Sequence, residues 1–158
     1  MPHFPLDQAL TDGAEGENPP CGLYRALLLS DTGGLIQFGA FIEILSPGSA
    51  SSVKHWHAEE DEMIHMLAGE VTLHEGDTVA VLYPGDMATF KAGTPSGHCL
   101  QNHGTTEARY LVIGTRGAAD VITCPDHDRV LHFTRSPAQR RWTDGQGQPA
   151  ASPYAKPE

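Results

Sequence analysis

Apolar and β-branched residues along the chain gather in short runs, at 23–30, 35–46, 52–57, 62–67, 70–74, 78–83, 87–91, 97–102 and 108–114. Explicit turn signals separate them: Thr32-Gly33-Gly34, Ser46-Pro47-Gly48, Ala68-Gly69, Glu75-Gly76-Asp77, Pro84-Gly85 and Gly93-Thr94-Pro95. Runs of this length and spacing predict the strands of an all-β sandwich or barrel, and no segment reads as a long amphipathic helix. Glu70 to Leu82, folded about Glu75-Gly76-Asp77, reads as a hairpin.

The ends of the chain differ from this pattern. Residues 1–22 are rich in Pro, Gly and acids and read as an N-terminal arm, while 136–158 form a C-terminal tail in which Trp142 and Tyr154 are the candidate anchors. At 158 residues the chain suits one core, so the expectation is a single β-barrel domain over 23–135 flanked by arm and tail.

Charge narrows the partners. A formal net charge of −10 repels phosphate backbones and anionic membrane surfaces, so neither nucleic acid nor a membrane is expected as a partner. Met1 to Leu10 lacks a basic start followed by an apolar stretch, and no segment has the roughly 18 apolar residues of a membrane span, which predicts a cytoplasmic protein. Cys21, Cys99 and Cys124 are odd in number and widely spaced, and they read as reduced thiols rather than as a disulfide framework or a thiolate zinc site.

The chemistry concentrates in His55-Trp56-His57 and Glu62. Residues two apart on a strand share a face, so His55 and His57 present two imidazoles side by side. Four residues separate His57 from Glu62, enough for a turn that starts the next strand with a carboxylate toward the same interior. Two nitrogens and one oxygen make a facial set that suits Zn(II), Fe(II), Mn(II) or Ni(II) and leaves positions open. A Gly-rich turn delivers His98 onto another apolar strand, as a fourth candidate whose partners depend on the fold.

Pro47-Gly48, His55-x-His57, Glu62 and Gly69, with six, four and six residues in the gaps, resemble the first motif of the cupin superfamily. Gly85, Ala92-Gly93-Thr94-Pro95, His98 and Asn102 resemble the second, although Lys91 stands where the family usually has Pro and four residues, not two, separate Gly93 from His98. The short segment between motifs is similar to small single-domain bacterial cupins. The resemblance implies a double-stranded β-helix, or jelly-roll barrel, commonly a homodimer, with a divalent metal held in the barrel by His55, His57, Glu62 and His98.

Other polar residues read more plainly. Glu59, Glu60 and Asp61 suggest a solvated acidic loop, His65 faces away from Glu62, His74 and His103 read as surface residues, and Cys99 turns away from the metal. Asn102 reads as structural and Trp56 as packing outward, while Lys91 and Arg109 are the cations nearest the motifs. Two functions follow. One is a metalloenzyme of isomerase, lyase or dioxygenase type acting on a small polar metabolite that chelates the metal. The other is a non-catalytic module that captures such a metabolite, a sugar for example. An isomerase or lyase needs a general base, and the sequence places no second His or carboxylate inside the barrel beyond the ligands.

Overall fold

The computed structural model describes residues 3–14 and 19–155. Among them are β1 (Leu10–Ala14), β2 (Tyr24–Leu28), β3 (Phe38–Leu45), β4 (Trp56–His57), β5 (Glu62–Ala68), β6 (Val71–Glu75) and β7 (Thr78–Leu82). The chain continues through β8 (Met87–Phe90), β9 (His98–Gln101), β10 (Ala108–Thr115), β11 (Ala119–Cys124), β12 (Arg129–Arg135) and β13 (Ala138–Thr143). A one-turn α-helix, α1 (Leu29–Thr32), follows β2, and single 3-10 turns lie at Leu6–Gln8 and Pro125–His127. Each of the nine expected runs carries one strand, β2 to β10.

Four strands lie outside those runs. β1 falls within the expected arm and pairs antiparallel with β2, although four of its five residues are exposed. Backbone hydrogen bonds rather than apolar burial hold it, so no hydrophobic alternation marks it. β11, β12 and β13 form a meander, the last of them inside the expected tail. β13 reads Ala-Gln-Arg-Arg-Trp-Thr, with its first four residues exposed, and its polarity conceals it. The run 23–30 ends early as a strand because Ser30 turns inward, where its Oγ accepts a hydrogen bond from the Ala40 N–H at 2.9 Å.

The first layer is a six-stranded sheet ordered β1-β2-β3-β10-β5-β8, and two smaller sheets run β13-β12-β11-β4 and β7-β6-β9. The smaller sheets meet where His55 and His98 exchange backbone hydrogen bonds, N to O at 3.1 and 2.9 Å. The result is a double-sheet jelly roll in which two candidate ligands are cross-strand partners. Leu45, Ile64, Met66, Leu73, Leu100 and Val112 belong to the apolar core between the layers. Alternation sets the inward face: Ala108, Tyr110 and Val112 are buried on β10 while Arg109 is exposed.

At the β5–β6 turn Gly69 has φ +71°, and a Cβ there would lie 2.7 Å from the Glu107 carbonyl oxygen and 2.9 Å from the Ala108 Cα. Only glycine fits, which accounts for its place in the motif. None of the described helices is long and apolar enough to cross a membrane.

Candidate metal centre

His55, Glu62 and His98 converge on one cavity of about 190 Å³ inside the barrel, walled by Ile64, Phe90, Leu100 and Val112. Each arrives on its own segment: His55 just before β4, Glu62 at the start of β5 and His98 at the start of β9. His98 is buried, with its ring stacked on Phe90 at 3.5 Å between centroids, and its Nε2 lies 3.4 Å from Glu62 Oε1. The His55 ring sits 4.8 Å from that of His98 and 5.1 Å from that of His57. His57 lies to one side and lines the neighbouring crevice with Phe90, Lys91, Ser96 and His98.

The polar groups behind these imidazoles fix which nitrogen is free. His55 Nδ1 lies 3.1 Å from the Val53 carbonyl oxygen and 3.1 Å from Ser52 Oγ. A carbonyl only accepts, so Nδ1 carries the hydrogen and Nε2 the lone pair. His57 Nδ1 is 2.6 Å from Asp120 Oδ2, while Asp120 Oδ1 accepts the Glu59 and Val121 N–H groups at 2.9 and 2.7 Å. The buried Asp120 is an acceptor in every contact, so the His57 Nδ1 carries the hydrogen of this contact. A carbonyl behind His55 and a carboxylate behind His57 make the arrangement that raises a metal ligand's basicity and fixes its orientation, whereas His98 Nδ1 is buried without a partner among the described residues.

Charge states agree with that reading. Burial, with help from the neighbouring charge of His98, pushes His55 down to about 4, so it is neutral at physiological pH. Burial opposes ionisation of Glu62, but the hydrogen bond from His98 and the imidazoles around it outweigh that and hold the carboxyl below its ordinary value. Neutral imidazoles and an ionised carboxylate are the forms that bind a cation.

Three acidic residues stand differently from expectation. Glu60 is no part of a solvated loop: it is 7 % exposed, with Oε1 2.6 Å and Oε2 3.2 Å from the Arg135 guanidinium and the Gly117 N–H donating to Oε1 at 2.7 Å. Its anchor sits on β12, beyond the reach of local patterning. Asp120 went unnoticed for the same reason, although Val121-Ile122-Thr123 beside it is a β-branched strand signal. Glu43 on β3 is the third. It is buried, lines the cavity of His55, Glu62 and His98, and accepts a 2.7 Å hydrogen bond from the Tyr110 hydroxyl.

One trio among the described residues, His57, Glu60 and Asp120, has donor atoms all within 4.8 Å of one another and could hold an ion. It is not the predicted set. Arg135 already occupies the cationic position against Glu60, and both Asp120 oxygens are committed, one of them to His57. Asn102 is structural: its Nδ2 donates to the Leu45 and Thr106 carbonyls at 2.9 and 2.8 Å, clamping the loop before β10. A wider concavity, about 1060 Å³, is an open groove over β11 to β13 that contains none of the four predicted ligands.

The sequence matches the model of the cupin domain over residues 41–114. The fold is similar to that of a sugar phosphate isomerase of the cupin superfamily from Silicibacter pomeroyi, at 30 % identity and a TM-score of 0.84, covering 96 % of this chain and 98 % of that one. It also resembles a putative sugar phosphate isomerase from Acidithiobacillus ferrooxidans, at 26 % identity and 0.74, over 82 % of this chain and 81 % of the other. A predicted oxalate decarboxylase from Thermotoga maritima shares the fold at 20 % identity and 0.59, over 72 % and 97 % of the two chains. No protein of curated function matches the sequence. The chain belongs to the cupin superfamily.

Proposed function

We propose that this cupin is a metal-dependent isomerase of small phosphorylated sugars, with the metal held by His55, His57, Glu62 and His98. The observation that carries the reading is the convergence of His55, Glu62 and His98 on one buried cavity, with Nδ1 of His55 and His57 tied back to Val53 and Asp120. Imidazole and carboxylate donors of this kind fit Zn(II), Fe(II), Mn(II) or Ni(II). A bound divalent ion supplies Lewis acidity toward a carbonyl or hydroxyl oxygen.

The chain's own residues do the rest. Asp120 and Val53 hold the imidazoles in register, and the apolar wall of Ile64, Phe90, Leu100 and Val112 limits water around the reacting carbon. The cavity is smaller than the roughly 300–1,000 Å³ of drug-sized sites, so it takes the reacting end of a small substrate while the remainder extends toward the mouth. Similarity over nearly the full length to a sugar phosphate isomerase supports the substrate class.

The test is direct. Protein loaded in turn with each of the four metals is incubated with ribulose 5-phosphate or fructose 6-phosphate, and the aldose product is followed by NMR. Aldose formation that needs the metal supports the reading. Absence of turnover on both ketoses with all four metals overturns it.

A further inference from the structure

The cavity contains one carboxyl that the proposed ligand set leaves unused. Glu43 enters from β3, in the six-stranded sheet, and sits directly across from Tyr110 in the β3–β10 register. Both side chains are buried, at 7 % and 1 % exposure, and both line the space into which His55, Glu62 and His98 point. The Tyr110 hydroxyl donates to Glu43 Oε1 at 2.7 Å, and among the described residues no hydrogen bond reaches Oε2. A buried carboxyl that served packing alone would have both oxygens satisfied. Here one oxygen is clamped by a phenol and the other is left toward a cavity.

Resting on the isomerase reading, we infer that Glu43 is the proton-transfer group of the site and that Tyr110 is its positioning residue. The Glu43 carboxylate takes a proton from the hydroxyl-bearing carbon next to the substrate carbonyl. That C–H bond breaks, its electron pair becomes the new C=C bond of an enediolate, and the carbonyl oxygen takes the charge. Glu43 then returns the proton to the former carbonyl carbon while the hydroxyl proton passes to the other oxygen. Aldose and ketose interconvert with no oxidant or reductant consumed.

Burial pushes Glu43 up to about 7, against the lowering effect of the Tyr110 hydrogen bond and with a further rise from the charge of Glu62. A base of this strength releases its proton as readily as it takes one at neutral pH. His55 and His98 face Glu43 across the cavity, and Tyr24 and Cys21 also lie within electrostatic reach, their own values raised.

The experiment uses the zinc-loaded full chain and acetohydroxamic acid, a planar chelating mimic of an enediolate that sheds one proton on chelation. A dication in the cavity favours the ionised Glu43 beforehand, and the chelating anion neutralises that effect, so Glu43 captures the proton. Calorimetric affinity of the wild type therefore changes only about threefold between about pH 6.5 and about pH 7.5, whereas Glu43→Gln weakens about tenfold for each unit of acidification. Tyr110→Phe keeps the carboxyl and with it the shallow profile, but without the clamp on Glu43 Oε1 it lowers kcat for the ketose at unchanged KM, and full kcat in that variant would overturn the positioning role. In the wild type itself, the infrared difference spectrum on hydroxamate binding gains a protonated-carboxyl band, which needs no variant to fold. Equal slopes in wild type and Glu43→Gln, or absence of that band, would overturn the inference while leaving the metal site standing. Failure of zinc to bind the wild type would overturn the metal reading and this inference together.

Discussion

His57 owes its orientation to Asp120, a residue 63 positions away that touches the site only through the imidazole. Asp120→Asn keeps the shape and reverses one hydrogen-bond polarity, so zinc affinity is expected to fall about 10- to 100-fold, as read by competition with a chelator. An unchanged affinity would remove Asp120 from the account. Two opposed titrations mark the metal-free protein. Glu43, raised to about 7 from 4.5 by burial, keeps its proton in the folded state where the unfolded chain has lost it, so its effect is destabilising as pH rises through that window. The magnitude is on the order of 3 kcal/mol above the window. His55, lowered to about 4 from 6.5 by burial, is the reverse: the unfolded chain binds the proton first, and stability is lost as pH falls from 6.5 toward 4. Metal-free Glu43→Gln should consequently melt higher than wild type at about pH 8, with the advantage fading toward about pH 4.5. A constant difference across that range would contradict the burial of an ionisable Glu43. His57, expected on the same face, lines the neighbouring crevice, whereas the sharing of one cavity by His55 and Glu62 was legible from strand alternation and short spacing, which are local properties. Glu43 was not, since Phe41-Ile42-Glu43-Ile44 reads as a strand with one polar residue, and nothing local says that the face of Glu43 is the barrel interior.

Elements place these residues with different degrees of sequence warning. Turn chemistry announced β5 to β9, and Gly69 shows why: with φ +71° and two backbone atoms within 3 Å of any Cβ, the β5–β6 turn admits no side chain. Gly69→Ala should cost about 1–3 kcal/mol in urea denaturation, and a neutral result would mean the turn relaxes freely. The meander of β11 to β13 gave less warning because its strands mix charge into the alternation, as in Arg129–Arg135. Its role becomes visible only in three dimensions, where Arg135 of β12 neutralises the buried Glu60 ahead of β5 and Asp120 of β11 holds His57. Arg135→Ala leaves Glu60 buried without its cation. The loss in thermal stability should be of order 1–3 kcal/mol, discounted because Arg135 is itself partly exposed, and it should shrink in Arg135→Ala/Glu60→Gln.

At the scale of the whole molecule, two layers close around a core and leave a small cavity, to which the second layer supplies His55 and His98, β5 supplies Glu62 and β3 supplies the carboxyl of Glu43. The layered architecture followed from strand count and turns, and the family motifs placed His98, whose partnership with His55 spans 43 residues and has no local signature. A cation that binds only the folded barrel stabilises it by mass action, about 3 kcal/mol at a hundredfold excess over Kd. The most direct measurement is zinc stoichiometry by titration of the metal-free wild type and of His55→Ala, His57→Ala, Glu62→Gln, His98→Ala and Glu60→Gln. The account predicts one tightly held ion per chain, lost or greatly weakened in the first four variants and retained in Glu60→Gln. Retention in His98→Ala or Glu62→Gln together with loss in Glu60→Gln would contradict it and move the metal to the His57, Glu60 and Asp120 trio.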